Sequence, residues 1–354
     1  MDIRALIREE VLSQKAYAVE ATVCRIKLDA NENPLAIPEG LREKFAARLA
    51  SVPLNRYPEA GSLGLASRFA ASFGVGADQV VLGNGSDELI LMLCMAMAKP
   101  GATVMVPVPT FAMYKITAVN AGLSVVAVPL DEAFDLDLPA MRKRMAVQPP
   151  ALTFLAWPNN PTGNCFGREK VEAVLRESPG IVVVDEAYFH FSGMTFLPLL
   201  NKYENLVVLR TLSKVGLAAM RIGLLIGSAD LVRELNKVRL PYNINSLSQA
   251  AAGFYLDEDE AFLKQAEVIR QERAGLFDAL EKLPGVRPYP TDANFIFFCC
   301  DFDADRVYSK MMERGILIKN LNGPGMMRGF MRVTVGTRAE NREFLEVLRD
   351  ILSK

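Results

Sequence analysis

Between residues 79 and 210 the chain is punctuated by short runs of consecutive apolar residues: QVVL at 79, TVMV near 103, SVVAV near 124, LTFLA near 152, IVVVD near 181 and NLVVLR near 205. A strand that is apolar on successive positions has both faces buried, and the segments between these runs are of helical character. The pattern therefore predicts an α/β fold with a mostly parallel sheet flanked by helices. Ligands of such sheets bind beyond the carboxyl ends of the strands. That rule singles out Phe111 and Tyr114 after one run, Asn160 after another, Asp185 and Tyr188 after a third, and Ser213 and Lys214 after the last.

The flanks have a different rhythm. Leu6, Ile7, Val11 and Leu12 predict a short amphipathic helix over 4–12, before an irregular arm. IKLDANENP at 26–34 reads as a brief strand entering a loop, and 39–50 as a helix. Helical patterns cover 230–255 and 261–283, with PYNIN at 241–245 as the break. Strand patterns then return near 293–298, 315–319 and 330–336, and an amphipathic helix over 341–352 closes the chain. At 354 residues the chain exceeds the usual size of one core. The expected division is an arm at 1–35 that contributes to the small domain and to dimer contacts, a large ligand-binding domain at 36–250 and a small α+β domain at 251–354.

Composition narrows the partners. A formal net charge of −1 offers no basis for a polyanionic partner, so neither nucleic acid nor an anionic membrane is expected. The apolar stretch 89–98 is too short to span a bilayer, and the first residues lack the apolar core of a signal peptide. Five cysteines show no CxxC pair and no cysteine–histidine spacing, so a reducing cytoplasm is expected and no metal site. His190, the one histidine, follows DEAYF and reads as structural.

Candidate chemistry centres on RTLSKVGLAAMRIG at 210–223. Lys214 there has the amine that condenses with a carbonyl to a Schiff base, provided its surroundings keep some of it unprotonated. Taken alone, Ser213-Lys214 also fits a solvated loop. The segment 79–99 reads as strand, glycine turn and helix, with Gly83, Gly85, Ser86 and Asp87 at the turn; it is either a phosphate site at a helix start or an ordinary capped turn. It is neither a GxGxxG nor a P-loop. One ligand needs all of these features together. Pyridoxal 5′-phosphate would take Lys214 at its aldehyde, the turn at Gly85, Ser86 and Asp87 with Ser213 and Arg221 at its phosphate, and Asp185 at its ring nitrogen. Asn160 and Tyr188 would meet the ring hydroxyl and Phe111 the ring face. Tyr57, in the loop NRYPEAGS, is either a packed ring or a hydroxyl offered to a ligand.

LDANENP at 28–34, RYP at 56–58, GNGSDE at 83–88, PNNPTG at 158–163, VDEAY at 184–188, RTLSK at 210–214 and RVTVG at 332–336 follow one another in an order and spacing that resemble the histidinol-phosphate aminotransferases nearly end to end. These are pyridoxal-phosphate enzymes of the aspartate-aminotransferase-like fold type I. The resemblance implies transfer of an amino group from L-histidinol phosphate to 2-oxoglutarate in histidine biosynthesis, with Lys214, Asp185 and Tyr188 as the catalytic group. It implies a homodimer, Tyr57 reaching the cofactor phosphate of the other subunit. It also implies substrate contacts from Tyr17, Asn31, Lys319 and Arg332, the last holding the amino donor's carboxylate. Where the family commonly has arginine, thirteen residues before Arg332, this chain has Lys319, and its arm lacks the usual proline before Tyr17. The competing readings are an aromatic amino-acid aminotransferase, a decarboxylase or lyase on the same cofactor site, and a cofactor-binding regulator without catalysis.

Overall fold

The computed structural model describes residues 1–16 and 22–353. Tyr17 lies outside the described residues. The strands in chain order are β1 (Ile26–Lys27), β2 (Val80–Asn84), β3 (Thr103–Val108), β4 (Ser124–Pro129), β5 (Leu152–Ala156), β6 (Ile181–Asp185), β7 (Leu206–Thr211), β8 (Ile222–Ile226), β9 (Val286–Pro288), β10 (Phe295–Cys300), β11 (Ile316–Leu317), β12 (Lys319–Asn320) and β13 (Phe330–Thr334).

Seven strands form the main sheet in the order β2-β8-β7-β6-β5-β3-β4. Only β8 runs against the others, pairing antiparallel with both β2 and β7. The apolar runs had not marked this strand, because IGLLI directly follows Arg221 and its first two residues close the stretch read for its phosphate chemistry. Successive residues of the central strands enter opposite cores: Val183, Val207 and Leu209 pack on one face, Val182, Val184 and Val208 on the other. Both faces are therefore covered, which is why the strands carry apolar residues without alternation.

A second, antiparallel sheet has the order β12-β13-β10-β9, and β1 pairs in parallel with β11. The expected strand at 315–319 is thus divided, β11 joining β1 and β12 joining β13. A separate apolar cluster, including Phe295, Phe298, Val333 and Phe344, packs around this part together with Ile26 and Leu28.

One helical expectation changes. The first segment forms a 3-10 turn at Ile3–Leu6 and a four-residue helix at Glu9–Leu12 instead of one amphipathic helix. Its apolar residues have no core to cover, Leu6 being 74% exposed, and so short a helix gains little from propensity alone. The 230–255 pattern breaks at PYNIN as expected, into Ala229–Val238 and Ser246–Asp257, the second opened by the Asn245 side chain accepting from the Ser248 N–H. The long helix Asp259–Glu281 follows at once.

Candidate active site

The carboxyl ends of β2, β3, β5, β6 and β7 open into a cavity of about 480 Å³, closed on the far side by Lys319, Leu321, Met327 and Arg332. Ser86, Asp87, Phe111, Asn160, Asp185, Tyr188, Ser213, Lys214, Arg221 and Asn31 all line it. Sheet topology brings most of these residues together, since they follow strand ends of the main sheet; Arg221 precedes the antiparallel β8, and Asn31 comes from the loop after β1.

One end of the cavity suits an anion. The helix Ser86–Met97 starts straight after β2 and has no side-chain cap at its N-terminus, so its first N–H groups and its dipole point at the cavity mouth. Gly85 has φ 78°, and a Cβ there would come 2.5 Å from the Arg221 guanidinium. Gly223 is tighter still: its Cβ would meet the Gly85 carbonyl carbon at 2.4 Å, so β8 can approach the turn only without a side chain. Arg221 donates to Ser213 Oγ at 3.3 Å and to Asp87 Oδ2 at 3.0 Å. Non-glycine residues rarely hold a left-handed φ, yet Arg221 has φ 53° and Asn31 φ 55° in this site.

At the middle of the cavity Lys214 donates to the Ala30 carbonyl at 3.1 Å. Burial, reinforced by the charge of Arg332, pushes its ammonium down to about 8. A lysine so placed supplies a neutral amine near neutral pH. Asp185, the last residue of β6, is buried and has no ion-pair partner among the described residues. Its Oδ2 accepts from the Tyr114 hydroxyl at 2.7 Å and its Oδ1 from the Ala187 N–H at 3.0 Å. Burial pushes the carboxyl up to about 6 against those two donors. Tyr188 accepts from Asn31 Nδ2 at 2.9 Å, and burial raises its phenol.

The far wall is cationic. Antiparallel pairing sets Lys319 directly opposite Arg332, which puts the two side chains on one face. Arg332 donates to the Asp29 carbonyl at 2.6 Å and to Asn160 Oδ1, and its guanidinium lies 5.1 Å from the Phe295 ring centre. Leu321 and Met327 add an apolar stretch to the same wall.

Among the described residues, Tyr57 is expected at the cofactor phosphate but is not brought to this cavity. Tyr57 is 80% exposed and stacks on Tyr242 with ring centres 4.5 Å apart, and Tyr17 is outside the described residues. His190 lies away from the cavity lining, its Nε2 3.0 Å from the Tyr255 hydroxyl, and burial pushes it down to about 4. Missed from sequence were the bond from Tyr114 to Asp185, the wall formed by Leu321 and Met327, and the buried Arg210–Glu186 pair at 3.0 Å. The last ties the end of β7 to the residue after Asp185. Among the described residues no group of His, Cys, Asp or Glu is placed to hold a metal ion.

The donor set fits a specific ligand shape: an anionic group at the helix start, an aldehyde beside Lys214, and a ring cation facing the buried carboxylate of Asp185. An unpaired buried carboxylate is costly, and such a cation would relieve that cost.

The family model "Aminotransferase class I and II" matches residues 25–348. The chain is 46% identical to histidinol-phosphate aminotransferase 2 of Nitrosococcus oceani, over 97% of this chain and 96% of that protein. It is 44% identical to the histidinol-phosphate aminotransferase of Chromobacterium violaceum, over 99% and 98%. The crystal structure of histidinol-phosphate aminotransferase from Sinorhizobium meliloti in complex with pyridoxal 5′-phosphate superposes with a TM-score of 0.89, covering 98% of this chain and 97% of that one, at 21% identity.

Proposed function

The chain belongs to the class I and II aminotransferase family, and on that premise we propose that it transfers the amino group of L-histidinol phosphate to 2-oxoglutarate, giving 3-(imidazol-4-yl)-2-oxopropyl phosphate and L-glutamate, with pyridoxal 5′-phosphate as its cofactor. The observation that carries the substrate is the pairing of Lys319 with Arg332 in the cavity that holds Lys214. A phosphorylated hydroxymethyl group on the reacting carbon calls for more positive charge than one carboxylate does, and two adjacent cations supply it.

When bound, pyridoxal phosphate supplies an electron sink that stabilises negative charge at the substrate carbon. The chain's own residues do the rest. Ser213, Arg221 and the N–H groups around Ser86 and Asp87 would hold the phosphate at the glycine turn of Gly85. Asp185 would face the ring nitrogen, Asn160 and Tyr188 the ring hydroxyl, and Phe111 the ring. Lys214 would anchor the aldehyde, and its amine, when free, would move the proton at the substrate carbon. Arg332 and Asn31 orient the donor, with Tyr17 and Lys319 assisting at the phosphate.

We take the active unit to be a cytoplasmic homodimer. The exposed Tyr57, stacked on Tyr242 outside its own cavity, is then the residue that reaches the partner's cofactor phosphate. The division at 36–250 and 251–354 would put the cofactor in the large domain and the cationic strands in the small one. Among the described residues no helix is long and apolar enough to cross a membrane.

Leu321, Met327 and Phe111 along the cavity favour a second reading, an aminotransferase for aromatic amino acids. A substrate screen that follows the cofactor's visible absorbance separates the two. Histidinol phosphate should discharge the band at far lower concentration than phenylalanine or tyrosine; the reverse order would overturn the assignment. Lys319→Ala tests the same point from the protein side. Loss of one charge-assisted contact should raise KM for histidinol phosphate about 10- to 100-fold and leave that for glutamate within about twofold. Equal losses for both donors would remove Lys319 from phosphate recognition.

A further inference from the structure

We propose that Tyr114 is a positioning residue for this chemistry: its hydroxyl fixes the Asp185 carboxylate and keeps it ionised for the ring nitrogen of the cofactor. The inference rests on the proposed cofactor, but its core concerns two side chains of the chain itself.

Tyr114 lies in the first turn of the helix Ala112–Asn120 and is 1% exposed. Its ring is clamped, lying 4.7 Å from Phe154 at an interplanar angle of 5° and edge-on to Phe111. The hydroxyl therefore meets Asp185 Oδ2 in a preset position, at 2.7 Å. Burial and the adjacent carboxylate raise the Tyr114 phenol well above its ordinary value, so the group stays neutral and donates.

The surroundings of Asp185 otherwise oppose its charge. The charges of Asp87, on the helix Ser86–Met97, and of Glu186, the next residue, both disfavour ionisation, although Glu186 is itself paired with Arg210. Tyr188 sits on the same turn as a neutral phenol. Lys214 and Arg221 line the cavity, but neither forms an ion pair with Asp185. Among the described residues, the Ala187 N–H and the Tyr114 hydroxyl are the hydrogen-bond donors to the carboxylate, and both favour its charge. The backbone bond survives any substitution of Tyr114, so the hydroxyl is the adjustable one. A donor fixed by packing loses little entropy on forming the bond, and in a dry site such a bond to an ionised acceptor is strong.

Tyr114→Phe removes the donor and retains the stacked ring. Two readouts test the inference. The first is independent of the cofactor: carbon-13 NMR of the Asp185 carboxyl in the cofactor-free chain. In the wild type it should titrate near about 6; a midpoint above neutrality there would itself overturn the proposal. In Tyr114→Phe the carboxyl should bind its proton about 10- to 100-fold more tightly. The second readout is the dissociation constant of pyridoxal 5′-phosphate against pH. The variant should bind about tenfold more weakly near about pH 7, and should approach the wild type near about pH 9, where both carboxylates are ionised. A packing defect would weaken binding alike at both. Phe154→Leu, which loosens the clamp and keeps the hydroxyl, should lower the melting temperature without moving the Asp185 titration. An unmoved titration in Tyr114→Phe would overturn the proposal. A moved titration with no cofactor binding by the wild type would instead overturn the functional reading and leave the Tyr114–Asp185 coupling intact.

Discussion

Lys214→Ala is expected to lower the rate of amino-group transfer by at least ~10⁴-fold, since it removes both the covalent anchor and the group that moves the proton. Among the described residues, His190, Asp185 and Tyr188 are not placed to take over. The chain's one histidine is not in the cavity lining, Asp185 is held by Tyr114 and Ala187, and the buried Tyr188 phenol is raised. The phosphate and ring contacts do not involve Lys214, so the variant should still bind pyridoxal 5′-phosphate, now with the absorbance of the free aldehyde. Equilibrium dialysis with visible spectra reads both properties, and a variant retaining more than about a hundredth of wild-type turnover would refute the role of Lys214. The wild type offers a pH signature as well. Only the neutral amine condenses with an aldehyde, and burial pushes Lys214 down to about 8. The rate of cofactor loading should therefore climb with pH and level off above about 8, whereas an ordinary lysine would go on climbing to about 10.4. A profile still rising through pH values near that of ordinary lysine would mean that the site does not desolvate the amine.

The parts of this site legible in the sequence share one property: they stand where an apolar run ends. Lys214, Ser213, Asp185 and the turn at Gly85 follow strands whose unbroken apolar character identifies the sheet, and topology does the rest. What was not legible depends on contacts between remote elements. The hydroxyl of Tyr114 meets Asp185 across 71 positions of sequence, through the seating of one helix on the sheet, and no local spacing encodes that seating. The loop 321–329, LNGPGMMRG, has no chemical motif of its own, yet it lends Leu321 and Met327 to the cavity wall. Strand β8 was hidden for another reason: its five residues, IGLLI, adjoin Arg221, and the first two were absorbed into the phosphate stretch. Tyr57 lies outside this chain's own cavity, so whether its role depends on a second chain had to be inferred from resemblance rather than from local pattern.

Arg332→Gln is expected to cost about 10²- to 10³-fold in kcat/KM for glutamate and for histidinol phosphate alike, the range for removing one member of a buried charge contact. The loss should be shared because Arg332 faces whichever anion sits on the reacting carbon, whereas Lys319→Ala should discriminate between the donors. Arg332 also has a mechanical task. Its guanidinium bridges from β13 in the small sheet to Asn160 in the loop after β5 and to the Asp29 carbonyl. These two acceptors hold the planar fork in one orientation, so substrate binding does not have to order it. Arg332→Lys separates the two tasks. Lysine keeps the charge but is a point donor that cannot hold both acceptors and a carboxylate in one plane, so its kcat/KM should fall between those of the wild type and Arg332→Gln, with most of the loss in KM. Full activity in Arg332→Lys would show that charge alone is read at this position. A lowered melting temperature with unchanged KM in Arg332→Gln would reduce the residue to a latch between the sheets.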